Sequence, residues 1–131
     1  MKEPAWIEAR DAIVLHERLL AAYGGAAGLR DEGLLAAALA RPQQHLAYAE
    51  KLDVVAMAAI YTAGVVQNHP SVDGNKRTGF VIGVLFLELN GYRFTAPEED
   101  AARAVLDLAA GKIDEPGYEA FLRSNATAEP A

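Results

Sequence analysis

The chain has 131 residues, 52% of them apolar and 23% charged, which describes a single globular domain rather than a disordered or fibrous chain. Acidic residues number 18 and basic residues 12, for a net charge of −6, which argues against nonspecific nucleic-acid binding through a basic surface. With no cysteine, disulfides, thiolate metal sites and cysteine nucleophiles are excluded, and a reducing cytoplasm is the expected location.

The opening Met1-Lys2-Glu3-Pro4 lacks an apolar run with a cleavage site, so no signal peptide is expected. Ala12, Ile13, His16, Leu19, Leu20 and Tyr23 are spaced for one face of a first helix, which Gly24-Gly25 stops. Asp31 caps a short second helix carrying Leu34, Leu35, Leu39 and Ala40, and Pro42 ends it. A long connection follows from Arg41 to Leu52, about twice the usual 4–6 residues, which fits a lid or binding loop and equally a plain irregular surface loop. Asp53 caps a third helix, Val54 to about Asn68, apolar nearly all round and therefore central; Pro70 disfavours its continuation through His69. The uncharged stretch from Val54 to Val72 ends in polar residues and is too short of apolar ones to span a bilayer.

A fourth helix, about Asn75 to Asn90, is equally apolar and stops at Gly91; Gly79 and Gly83 permit close approach to a neighbouring helix. Thr95-Ala96-Pro97-Glu98 reads as a capped start with proline just inside a fifth helix bearing Ala101, Ala102, Val105, Leu106 and Leu108. Asp114 caps a sixth helix with Tyr118, Phe121 and Leu122. Tyr92-Arg93-Phe94 and part of the long loop are the only strand candidates. The expectation is an all-α domain over residues 1–124, with 125–131 a short flexible tail.

Polar chemistry concentrates between the two most apolar helices, in His69-Pro70-Ser71-Val72-Asp73-Gly74-Asn75-Lys76-Arg77-Thr78. Gly74 and Asn75 open the fourth helix, where free backbone N–H groups and the positive dipole end form an anion site. Lys76 and Arg77 in that first turn are unfavourable unless an anion offsets them. Asp73 can hold magnesium, which takes one or two carboxylates together with phosphate oxygens. His69, across the turn, can accept a proton at neutral pH. Base, metal carboxylate and phosphate cradle are the parts for moving phosphate from a nucleotide to a hydroxyl. The same residues also fit a plain turn, with Asn75 as a helix cap and the two cations solvated.

The run from His69 to Arg77 resembles the signature loop of Fic-domain proteins, His-Pro-Phe-x-Asp/Glu-Gly-Asn-Gly/Lys-Arg, and its lysine is typical of the death-on-curing (Doc) branch. Tyr23-Gly24-Gly25, Gly28 to Leu35 and Ala38 to Gln43 resemble that branch before the loop, and Phe86 to Gly91 after it, so the resemblance covers about residues 7–123. Ser71 departs from the pattern, standing where the family usually has a phenylalanine that anchors the loop in the core.

The resemblance implies a Fic fold of about six helices with a flap loop or short hairpin over the site, here the segment from Arg41 to Leu52. It implies His69 as the general base, Asp73 as the Mg2+ ligand, and Gly74 and Asn75 as a phosphate cradle working through backbone and amide groups. Lys76 and Arg77 would counter the phosphate charge. ATP is the implied substrate. The lysine is associated with transfer of the terminal phosphate, whereas most Fic proteins transfer AMP. Physically, Lys76 fills with a stem and a point charge the space that glycine leaves open to a phosphate. The Doc branch further implies a toxin of a toxin–antitoxin pair that acts on elongation factor Tu and is silenced by a Phd-like antitoxin. No internal Ser/Thr-x-x-x-Glu-Gly/Asn inhibitory segment is present, which agrees with inhibition by a separate chain. A degenerate Fic-fold module that binds without chemistry is the competing class, with Ser71 its only support.

Of the other candidates, His16 reads as a core or helix-contact histidine and His45 as a surface residue, and three scattered histidines make no zinc pattern. Met57 and Tyr61 read as packing, and Glu98, Glu99 and Asp100 as a solvated first turn suited to the helix dipole.

Overall fold

The computed structural model describes residues 3–48 and 52–130. Within them the order is α1 Ala9–Tyr23, α2 Glu32–Tyr48, α3 Val54–Asn68, α4 Asn75–Leu89, β1 Tyr92–Phe94, α5 Glu98–Ala109, α6 Glu115–Ser124 and β2 Ala126–Ala128. The domain is all-α apart from one two-stranded ladder. No helix among the described residues is long and apolar enough to cross a membrane.

Helix α3 is the axis. The Asp53 carboxylate accepts from the Ala56 N–H at 2.9 Å and so caps its first turn. Every residue from Val55 to Val66 is buried, as a helix apolar on all faces requires. Helices α2, α4 and α6 pack around it, and α1 lies on α4. The approach of α4 is close because of its glycines. A Cβ on Gly79 would meet Val66 Cγ2 at 3.1 Å, and one on Gly83 would overlap Thr62 Oγ1. Phe86 of α4 packs between Tyr61, with ring centroids 4.9 Å apart, and Trp6, at 5.9 Å. The Tyr61 hydroxyl accepts from the Ile7 N–H at 3.1 Å, which ties the N-terminal segment across α3.

Several boundaries differ from the sequence expectation. Helix α2 does not end at Pro42; it runs on to Tyr48. Pro42 is fully buried, Leu46 packs on the core, and Arg41 pairs with Glu115 of α6 at 2.9 Å. Tertiary packing here outweighs a proline whose helix cost is about 3 kcal/mol. Most of the expected flap is therefore helix, and its residues 49–51 lie outside the described residues. On α1, Ile13 and Tyr23 are exposed, leaving Ala12 and His16 as the buried face. Pro97 itself occupies the N-cap of α5, and Thr95 instead binds the Asn125 carbonyl through its N–H at 2.8 Å. Within the segment expected to be a free tail, Ala126–Ala128 pairs antiparallel with β1, Phe94 opposite Ala126 and Tyr92 opposite Ala128.

Candidate active site

The turn from α3 to α4 carries the candidate chemistry and borders a cleft of about 700 Å³. Leu19 and Tyr23 of α1 form one wall, with Ala101, Val105 and Leu106 of α5 opposite. His69, Asp73, Gly74, Asn75, Lys76 and Arg77 all line it, so the structure brings together every residue the sequence singled out. None of residues 41–48 lines it.

His69 is the C-cap of α3 and sits in the left-handed region, φ 52° and ψ 55°. It is the only non-glycine residue with positive φ among the described residues. Its N–H donates to the Val65 carbonyl at 3.1 Å, closing α3, and its side chain is exposed at the cleft.

The loop behind it is anchored through its backbone. Ser71 is 5% exposed and forms an antiparallel bridge with Leu29. Pro70 O accepts from the N–H groups of Arg30 at 2.7 Å and Asp31 at 3.0 Å, and the Val72 N–H donates to Gly28 O at 3.1 Å. The Asn75 amide closes the turn reciprocally: Oδ1 accepts from the Ser71 N–H and Nδ2 donates to Ser71 O, both at 2.9 Å. Anchoring thus comes from a strand-like pairing and a buried amide, without the usual phenylalanine.

This arrangement changes two expected roles. The Asn75 side chain is buried, with Oδ1 and one N–H of its amide taken up by Ser71, so Asn75 meets an anion chiefly through its backbone N–H. The Gly74 N–H donates to Asp73 Oδ1 at 2.8 Å and is not free either. The N–H groups of Asn75, Lys76 and Arg77 have no partner among the described residues, and they form the open end of α4. Gly74, at φ 78°, supplies the left-handed cap from which they project. Lys76 and Arg77 are exposed beside them, and the Arg77 guanidinium lies 4.3 Å from the Tyr23 ring centroid. That cation–π contact leaves its N–H edges open to an anion.

The Asp73 carboxylate is held in place by the backbone. Oδ2 accepts from the Ala26 N–H at 3.2 Å and Oδ1 from Gly74. The Ala26 N–H, then that of Gly74, hold its carboxyl below the usual range, so it is ionised at neutral pH. Gly25, at φ 124°, is required here, because a Cβ would stand 2.9 Å from Asp73 Oδ2. No group of three or more His, Asp or Glu gathers among the described residues, so Asp73 stands as a single carboxylate rather than part of a cluster there.

The sequence reading missed three contributors. The His16 Nε2 lies 2.7 Å from the Asp73 carbonyl, which can only accept, so this nitrogen carries the proton. Arg30 donates from Nε to His69 O at 2.9 Å and from Nη2 to Asn68 O at 3.1 Å. Tyr23 supports Arg77. These contacts cross 38 to 57 positions for Arg30 and His16, and no local periodicity reports them. The left-handed glycines at 25 and 28 were the available signal, because they let the chain between α1 and α2 lie against the loop.

The sequence profile of the Fic/DOC family matches residues 6–87, from α1 through most of α4. The protein kinase doc of Escherichia phage P1 is 34% identical over 108 residues, covering 82% of this chain and 84% of that protein. The toxin Doc of Mycolicibacterium smegmatis is 42% identical over 79 residues, 57% of this chain and 58% of its own length. Both matches and the lysine in the loop agree in direction. A profile that spans well over half of the residues and includes the turn just described means that the chain belongs to the Fic/DOC family, in its Doc branch.

Proposed function

We propose that this protein is a Doc-type toxin that transfers the terminal phosphate of ATP to a hydroxyl of a translation factor, elongation factor Tu. The carrying observation is the turn from α3 to α4. An exposed histidine faces the same cleft as an open helix N-terminus flanked by Lys76 and Arg77. Relatives named protein kinase doc and toxin Doc support both halves of the reading.

In this reading the acceptor hydroxyl lies against His69, which takes its proton. The hydroxyl oxygen bonds to the γ-phosphorus, the bond to the β–γ bridging oxygen breaks, and ADP leaves. The free N–H groups of Asn75, Lys76 and Arg77 hold the phosphate oxygens, and both side chains balance charge there. Asp73 fits a magnesium ligand, being ionised, exposed to the cleft and oriented by two backbone N–H groups. Magnesium accepts one carboxylate together with phosphate oxygens and water, and when bound it would neutralise phosphate charge. Ser71 is buried and doubly bonded through its backbone, which favours a working loop over an inert binding module. A toxin needs neutralising in its own cell, so a Phd-like antitoxin completes the proposal, with the cytoplasm as the place of action.

Induction in bacteria of wild type beside His69→Ala, at matched soluble levels, tests the reading through the intact mass of elongation factor Tu. Arrest by wild type alone with a gain of one phosphate is expected, with label arriving from γ-labelled and not α-labelled ATP. A gain of one AMP would keep the transferase and replace the chemistry. Equal growth with an unchanged mass would remove the target and the toxin role together.

A further inference from the structure

We propose that Arg30 is a positioning residue for His69, whose guanidinium sets the backbone conformation that presents the imidazole to the cleft. The proposal rests on the reading of His69 as the base.

Two intrinsic preferences pull His69 away from its observed conformation. A residue with a Cβ is strained at φ 52° and ψ 55°. The proline that follows it favours extended geometry at the preceding residue. Something must hold the turn, and the N–H bond to Val65 O fixes only the side toward α3.

Arg30 acts on both sides. Asn68 O belongs to the peptide plane before the His69 Cα, and His69 O to the plane after it. Arg30 Nη2 binds the first at 3.1 Å and Nε the second at 2.9 Å. Peptide planes are rigid, so the angle between two consecutive ones is the φ and ψ of the residue they share. A guanidinium is also rigid and presents its donors in a fixed fork. One planar group on both carbonyls therefore specifies the conformation of His69. A lysine ammonium, a point charge on a flexible stem, cannot impose that angle. The cation also suits the negative end of α3. The main-chain N–H groups of Arg30 and Asp31 hold Pro70 O independently, so removing the side chain leaves the loop tethered.

The test compares Arg30→Ala and Arg30→Lys with wild type, alone and in a His69→Ala background. Readouts are phosphate transfer from γ-labelled ATP to purified elongation factor Tu, melting temperature, and hydrogen exchange at the His69 amide. For Arg30→Ala, kcat is expected to fall about tenfold with the KM for ATP unchanged, because the phosphate cradle lies on α4. Exchange at His69 should quicken while the melting temperature holds, Arg30→Lys should not restore kcat, and Arg30→Ala should add nothing once His69 is gone. Unchanged kcat and exchange would overturn the clamp. Loss of activity together with a lower melting temperature and faster exchange throughout would also overturn it, since Arg30 would then be merely structural. Full transfer by His69→Ala would instead refute the base reading, and the His69 exchange rate would still decide the clamp.

Discussion

Asp73 is placed by what surrounds its carboxylate more than by its own residue type. One oxygen sits on the Ala26 N–H, and that approach exists only because position 25 has no side chain. The His16 bond acts on the same unit. It fixes the Asp73–Gly74 peptide plane, whose opposite edge is the N–H that binds Asp73 Oδ1. Gly24 and Gly25 both have positive φ, but a Cβ on Gly24 would meet nothing within 4 Å. Gly24→Ala and Gly25→Ala should therefore share a backbone strain of about 1–3 kcal/mol, with a further loss of melting temperature for Gly25→Ala, whose Cβ would also stand 2.9 Å from Leu20 Cδ2. Only Gly25→Ala should weaken magnesium-dependent ATP binding, by about tenfold or more, as Asp73→Ala should. Calorimetric titration of ATP with and without magnesium separates the pair. Equal affinities in the two glycine variants would mean that the Ala26 contact does not position the carboxylate.

At the scale of elements, the pairing of α3 with α4 carries the site, because the turn between them is the site. Thr62 Oγ1 donates to Gly79 O at 2.8 Å, and Gly83 leaves the room for it. Gly83→Ala would gain about 1 kcal/mol of helix propensity. Against this stand an overpacking cost of about 1–3 kcal/mol and a lost buried hydrogen bond of about 1 kcal/mol. The net expectation is destabilisation of roughly 1–3 kcal/mol in urea melts, with Gly83→Ala/Thr62→Ala recovering part of it. A stabilised single variant would show that the helices part without cost.

The two glycines and the uniform apolarity of both helices were legible in the sequence, and so was the loop between them, because each signal is local. The extent of α2 was not, since Pro42 is a local breaker overruled by burial and by the Arg41 pair with Glu115. Nor was β2, whose Ala-Thr-Ala has no strand pattern and exists through its partner β1. Nor, for the same reason, was the hold of the Asn75 amide on Ser71, since only the closed turn brings the two residues together.

Across the whole molecule, two bonded carboxylates stand at opposite ends of α3, a helix of 15 residues and thus roughly 22 Å long. Asp73 is at the loop end. At the other end Asp53 caps α3 and receives Arg123 of α6 at 2.8 and 3.1 Å. That hydrogen bond holds Asp53 below its ordinary value, partial burial opposes it, and the Ala56 N–H adds to the lowering. A depressed carboxyl contributes its stability in full above the unfolded value, about 3.9, and loses it as pH falls through the folded one. The melting temperature should therefore stay level down to about pH 5 and drop progressively below about pH 4. Asp53→Asn keeps a good cap but loses the ion pair, which is half-exposed and worth no more than about 1 kcal/mol. It should melt a few degrees lower at neutral pH and decline less steeply in acid. Because the change lies a helix length from His69, phosphate transfer at neutral pH should be unaltered. An acid decline parallel to wild type would assign the loss to other carboxylates. A fall in neutral-pH transfer would mean that the two ends of α3 are coupled through its buried core, with docking of α6 then helping to set the catalytic turn.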